Sequence, residues 1–194
     1  MNESHLKFLS SPEWAAMLET DLMPWIRAAG DLGDDVLEIG PGPGLTTDLL
    51  RQRVSRLTAV EADATLAVPL RERLTGTNVE VICADATEAG LESGRFSAAT
   101  CFAMLHHMAS PADQDRLFAE VNRVLRADAI FVGTDSRDLE VIRAGHVDDI
   151  FVPVDPGTLA GRLAAAGFVG TTLDVGEYQI RFVTRKPIHT PTCR

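Results

Sequence analysis

The residues best placed to do chemistry begin at Val36-Leu37-Glu38-Ile39-Gly40-Pro41-Gly42-Pro43-Gly44, an apolar run that passes into a glycine-rich turn and then into the helix-like segment Leu45-Thr46-Thr47. Glycine lets a backbone turn sharply and lie close against a ligand. The spacing excludes two common phosphate-binding patterns. A dinucleotide G-x-G-x-x-G begun at Gly40 needs glycine where Leu45 stands, and a phosphate loop needs a Gly-Lys-Ser/Thr that is missing. Pro41 and Pro43 also remove two N–H donors that a phosphate nest uses, and Glu38 sets an anion beside the turn. A ligand carrying a cationic sulfonium or ammonium group is attracted to such a carboxylate and needs no dense array of amides.

Two further acids fall into line with this turn. Glu61 closes Ala59-Val60-Glu61-Ala62-Asp63, about twenty residues beyond the turn, where a carboxylate can accept both hydroxyls of a ribose. Asp85 closes Val81-Ile82-Cys83-Ala84-Asp85-Ala86 and is positioned to accept from an adenine amino group. Each acid alone reads equally well as a helix cap or turn residue. Three of them at the carboxyl ends of successive strands point to a nucleoside-containing ligand, because ligands of open α/β sheets bind along that edge. His106 and His107 follow a fourth strand, where neutral imidazole can take a proton from a hydroxyl or orient it; the plainer reading packs one ring on the next helix and bonds the other to backbone. Asp135, Asp138, Asp148 and Asp149 with His146 would suit a divalent ion for a chelating acceptor. Such a polar run is more commonly a solvated loop, and no metal is expected.

The elements that must position these residues alternate along the chain. Strands are predicted at 36–39, 57–60, 79–82, 96–102 and 129–134, with helices at 44–54, 63–75 and 111–126, the last opened by Ser110-Pro111. Another helix is predicted over 12–29, with an apolar stripe of Trp14, Met17, Leu18, Leu22, Met23 and Trp25 that packs into the core or covers a substrate. After residue 134 the chain is polar and irregular, then helical over 156–166, and it ends in strands 169–175 and 178–184 joined across Gly176-Glu177. This predicts an α/β protein: a single Rossmann-like, doubly wound domain with a seven-stranded, mostly parallel sheet and a C-terminal antiparallel hairpin. The expected divisions are a helical N-terminal segment or lid over 1–30, the ligand-binding domain over 31–187, and a frayed tail over 188–194.

Composition agrees with one such domain. The 194 residues are 45% hydrophobic, enough to bury one core without disulfides or metals. Cys83, Cys101 and Cys193 form no CxxC pair. No stretch approaches the ~20 apolar residues of a membrane span, and the first residues lack the pattern of a signal peptide, so a cytoplasmic location is expected. The net charge of -10 opposes phosphate neutralisation and disfavours nucleic acid, leaving a small molecule as the expected partner.

Taken together, Glu38–Gly44, Glu61 and Asp85 resemble the corresponding motifs of class I S-adenosylmethionine-dependent methyltransferases, over roughly residues 34 to 184. The resemblance implies S-adenosyl-L-methionine as cofactor and S-adenosyl-L-homocysteine as product. It assigns Glu38, Gly40, Gly42 and Gly44 to the glycine motif, Glu61 to the ribose and Asp85 to the adenine. It further implies that Ala62 and Ala86 flank the adenine, that Thr46 lies near the methionine end, and that Phe102 contributes backbone. The glycine motif is especially similar to that of the ribosomal RNA adenine dimethyltransferases. That family's Asn/Asp-Leu/Pro-Pro-Tyr/Phe motif is replaced here by Phe102-Ala103-Met104-Leu105-His106-His107-Met108, which offers no aromatic ring in the motif's final place to stack a flipped base, and a basic helical extension is missing. The segment instead resembles small-molecule methyltransferases of the ubiquinone and type 11 kind, which implies O-, N- or C-methylation of a metabolite, with His107 and then His106 as catalytic candidates. An RNA adenine dimethyltransferase-like enzyme and a non-catalytic S-adenosylmethionine-binding module are the alternatives.

Overall fold

In the computed structural model, which describes residues 6, 7 and 9–188, the sequence alternation becomes a seven-stranded sheet. The elements are α1 (Pro12–Met17), α2 (Met23–Ala29), β1 (Asp35–Ile39), α3 (Leu45–Leu50), β2 (Arg56–Glu61), α4 (Ala64–Arg73), β3 (Val79–Cys83), β4 (Phe96–Phe102), α5 (Pro111–Val124), β5 (Leu125–Ser136), α6 (Glu140–Ala144), α7 (Pro156–Ala165), β6 (Val169–Val175) and β7 (Gln179–Arg185). The strand order is β3-β2-β1-β4-β5-β7-β6. β1 to β5 pair in parallel, and β7 runs antiparallel to both β5 and β6. The order reverses between β1 and β4, which opens a crevice at their carboxyl ends.

β1 is buried along its whole length, as a central parallel strand covered on both faces must be. Side-chain alternation sends Leu37, Ile39 and Phe131 to a core on one face, with Leu117, Phe118 and Phe182. Val36, Ile130 and Val132 go to the other face, against Leu18, Met23, Ile26 and Leu50. Each such side chain contributes about 1.5–3 kcal/mol on burial. The N-terminal stripe is therefore largely core, while Met17 is exposed. Among the described residues no helix is long and apolar enough to cross a membrane.

Several boundaries differ from the sequence reading for physical reasons. The helix predicted over 12–29 is interrupted by a π-helical turn at Leu18–Leu22, where the Met23 N–H reaches back to the Leu18 carbonyl just before Pro24, which has no N–H to give. The helix predicted over 44–54 ends at Leu50, because the Asn78 amide donates to the carbonyls of Arg51 and Val54 at 2.8 Å each. The β6–β7 connection spans residues 176–178 and is closed by Gly176 N–H to the Gln179 carbonyl at 2.9 Å. Cys83 is exposed and Cys101 buried; Cys193 and the tail from residue 189 lie outside the described residues.

Candidate active site

The crevice holds a cavity of about 500 Å³, within the ~300–1,000 Å³ range of small-molecule sites. Its floor is the turn after β1. Gly40, Gly42 and Gly44 have φ of +65°, +56° and +88°, a left-handed region costly for other residues, and the intervening prolines fix the rest of the turn. A Cβ on Gly40 would stand 2.3 Å from Met104 Cγ, and one on Gly44 equally near Leu70 Cδ1. Gly40 N–H bonds the Val60 carbonyl at 2.9 Å, and Gly42 N–H bonds Glu61 Oε2 at 3.0 Å. Glu61 Oε1 also accepts from Asp63 N–H at 2.9 Å, so the end of β2 and the turn form one hydrogen-bonded unit. Each carboxylate oxygen still has capacity for a further donor.

Glu38 takes a different place from the one its sequence position suggests. It is 1% exposed and stands behind the cavity wall, accepting the hydroxyls of Thr46 at 2.5 Å and Thr47 at 2.6 Å. Burial pushes its carboxyl up to about 7, against the lowering effect of those two hydroxyls. It thereby clamps the first turn of α3, whose Thr46 does reach the cavity. Gly44 is likewise behind the wall, packed on α4. Gly40, Gly42, Thr46, Glu61, Ala62, Asp85, Ala86 and Phe102 all line the cavity. Asp85 stands two residues beyond β3, and its Oδ1 accepts from Thr87 N–H and hydroxyl at 2.8 Å each.

The other end of the cavity is built by the segment after β4. Leu105–His107 forms a 3-10 turn, and His107, Met104 and Met108 line the wall there. His106 is 1% exposed and points away from the cavity, its Nδ1 2.6 Å from Asp135 Oδ1. Asp135 is thus a buried residue of β5, and it also accepts Ser136 N–H at 2.8 Å. His146, predicted to lie in a solvated loop, is 9% exposed and brings its Nδ1 2.8 Å from the Ile142 carbonyl. Asp138 does conform to the surface reading and pairs with Arg143. Buried Gln114 ties the two histidine-bearing segments together, donating to the carbonyls of Leu105 at 3.0 Å and Val152 at 2.9 Å. Val152 N–H adds a 2.7 Å bond to the His106 carbonyl.

Leu9, Leu66, Asp113, Leu117 and Ile150 complete the wall without having been foreseen, and Trp14 does so from the segment read as core or cover. An apolar residue facing a cavity carries the same pattern as one facing a core; only the Ser110-Pro111 cap hinted at Asp113's place, in the first turn of α5.

Comparison with known proteins agrees with this architecture. A family model described as a methyltransferase domain matches residues 37–133, half of the chain. Among solved structures, a Pyrococcus horikoshii protein superposes with a TM-score of 0.76 at 21% identity, covering 92% of this chain and 93% of that one. An S-adenosylmethionine-dependent methyltransferase from Aquifex aeolicus gives 0.73 at 19%, covering 96% and 99%. Haemonchus contortus phosphoethanolamine N-methyltransferase 2, solved with phosphomonomethylethanolamine and S-adenosylhomocysteine, gives 0.71 at 13%, covering 85% and 52%. At these identities the likeness is one of fold. In sequence, the ribosomal RNA small subunit methyltransferase A of Koribacter versatilis is 50% identical over 62 residues, which span 31% of this chain and 22% of that protein. That of Leptothrix cholodnii is 37% identical over 95 residues, or 42% and 35%. The chain therefore spans about a third or less of the length of these curated relatives.

Proposed function

The chain belongs to the family of S-adenosylmethionine-dependent methyltransferase domains, and from that membership we propose that it methylates a small-molecule acceptor held at the β4–β5 end of the cavity. The residues present fit the cofactor. Gly40 and Gly42 present bare backbone to the cavity, with open space where a Cβ on Gly42 would stand, and the Glu61 carboxylate faces the cavity with spare acceptor capacity for a ribose. Asp85 keeps Oδ2 for an adenine amino group while Oδ1 holds its own turn. When bound, S-adenosylmethionine supplies a methyl group already activated on a sulfonium. The chain's own task is then alignment and exclusion of water, which explains the apolar wall of Met104, Met108, Leu117 and Ile150. His107 is the histidine of that wall, and we assign it to contact with the acceptor.

The observation that carries this reading is the half-open, largely apolar cavity that Glu61, Asp85 and His107 all line. The net charge of -10 supports it further by opposing polyanionic substrates. A second reading, methylation of an RNA adenine, draws on the local similarity to ribosomal RNA methyltransferases. Transfer of labelled methyl from S-adenosylmethionine, offered in parallel to a metabolite panel and to structured RNA, separates the two. Label is expected in a metabolite, with thermal stabilisation by S-adenosylhomocysteine and none by NAD or ATP. Label in RNA adenine overturns the small-molecule reading, and equal stabilisation by NAD overturns the cofactor assignment.

A further inference from the structure

We propose that His106, His107 and His146 form a binding site for a divalent transition-metal ion of the zinc class at the acceptor end of the cavity. One candidate ligand nitrogen from each residue lies within 4.8 Å of the others, and the ring centroids are 4.2, 5.0 and 5.4 Å apart. Zinc–nitrogen bonds of about 2.0–2.1 Å put tetrahedral ligands roughly 3.4 Å apart. Modest side-chain rotation therefore closes the set around an ion.

The surroundings of the rings carry the argument beyond mere proximity. His106 Nδ1 faces the Asp135 carboxylate at 2.6 Å, and His146 Nδ1 faces the Ile142 carbonyl at 2.8 Å. Both oxygens only accept, which assigns a proton to Nδ1 in each ring and makes Nε2 the nitrogen that would ligate a metal. A histidine donating from one nitrogen to a carboxylate or carbonyl while presenting the other is the arrangement that orients metal ligands and raises their basicity. Asp135 is itself locked by Ser136 N–H, and Asp149 Oδ1 lies 3.8 Å from His107 Nδ1. Two carboxylates thus stand beside the three imidazoles, supplying negative charge to balance a dication without ligating it.

An all-imidazole set suits zinc, cobalt, nickel or iron; magnesium and calcium require oxygen ligands. Two of the three histidines are buried and the third, His107, lines the cavity, so the remaining coordination position opens toward the space assigned to the acceptor. The ion site itself does not depend on methyl transfer.

The test uses the untagged full chain, stripped with chelator and titrated with Co(II) while visible absorbance is recorded. One Co(II) per chain is expected, with the d–d bands of a low-coordinate nitrogen site, displaced by Zn(II) and unaffected by millimolar Mg(II). His146→Ala, which leaves the cavity wall intact, should weaken binding at least 100-fold, and Asp135→Asn, which changes only the supporting shell, about 10- to 100-fold. Should His146→Ala fail to fold, the Asp135→Asn titration and a Zn(II)-dependent rise in the melting temperature of the unaltered chain decide the matter. Absence of d–d bands, or equal Co(II) affinity in a folded His146→Ala, overturns the site. S-adenosylhomocysteine binding measured on the same samples reports separately on the cofactor assignment.

Discussion

The two ends of the cavity are built on different principles. At the cofactor end, the turn after β1 and Glu61 at the end of β2 hold one another through a bond between backbone and carboxylate, Gly42 N–H on Glu61, while Asp85 after β3 holds its own turn through Thr87. At the acceptor end, the 3-10 turn of His106 and His107 is fixed by side chains from distant points of the chain, Gln114, Asp135 and the segment around His146. One end is specified by a short motif, the other by tertiary packing. That contrast explains why a family resemblance reads clearly in the first and the acceptor's identity stays hidden in the second.

The sharpest way to break the contrast is to make the cofactor end fail sterically. Gly40→Ala combines a left-handed backbone with a Cβ 2.3 Å from Met104 Cγ, and should cost about 2–5 kcal/mol in stability from strain and overpacking together. It should also abolish measurable S-adenosylhomocysteine binding by calorimetry. Gly42→Ala meets nothing within 4 Å and should cost only the strain, about 1–2 kcal/mol. Equal melting temperatures for the two variants would show that the turn relaxes freely and that Met104 does not couple the two ends.

Glu38 gives the next largest effect. Its carboxyl, ordinarily near 4.5, titrates at about 7 because burial disfavours the charge. Below pH 4.5 both folded and unfolded chains keep that proton. Between pH 4.5 and 7 the unfolded chain ionises first, so stability falls as pH rises, and above pH 7 the loss is complete. At 1.36 kcal/mol per pKa unit the full loss is at most about 3 kcal/mol. Urea unfolding at pH 5 and pH 7.5 should show most of that decrement, about 2 kcal/mol, in the unaltered chain and not in Glu38→Gln, which keeps the shape without the charge. Parallel pH dependence in both would remove Glu38 as its source.

The acceptor end is probed through His107. His107→Ala should lower turnover on the true acceptor by about 10- to 100-fold while S-adenosylhomocysteine affinity stays within twofold, since its side chain faces the far end of the cavity. An affinity loss as large as the turnover loss would mean that the two ends are not separable.

The same contrast accounts for what could be read from the residues alone. The five parallel strands were legible as apolar runs and the last two as a pair split by Gly176-Glu177, and the three acids stood out because each lies at or within two residues of a strand's carboxyl end. The early end of α3 was not, since Asn78 that stops it lies 24 and 27 residues further along. Nor was the buried pairing of His106 with Asp135, 29 residues apart, or the convergence of His146 on them. Glu38 lies in β1 just before the turn; a carboxylate beside a glycine motif reads as facing the ligand, and only the structure sets it against Thr46 and Thr47.

The smallest expected effect belongs to Asp85, and it separates the acid's two candidate roles. Oδ1 is occupied by Thr87 N–H and hydroxyl, so the turn after β3 needs one oxygen and the adenine would use the other. Asp85→Asn keeps the first and replaces the second with an amide N–H₂, which donates where a carboxylate accepts. The turn should therefore survive with an unchanged melting temperature. An adenine amino group would face a donor in place of an acceptor and lose one hydrogen bond, about 1 kcal/mol or roughly fivefold in S-adenosylhomocysteine affinity. Asp85→Ala removes both oxygens and should lower affinity and stability together. Calorimetry with adenosine-containing and inosine-containing forms of the product completes the cycle, because inosine carries a carbonyl in place of the amino group. The unaltered chain should prefer adenosine, and Asp85→Asn should lose or invert that preference. An undiminished preference would restrict Asp85 to its turn and leave recognition of the base to Ala62 and Ala86.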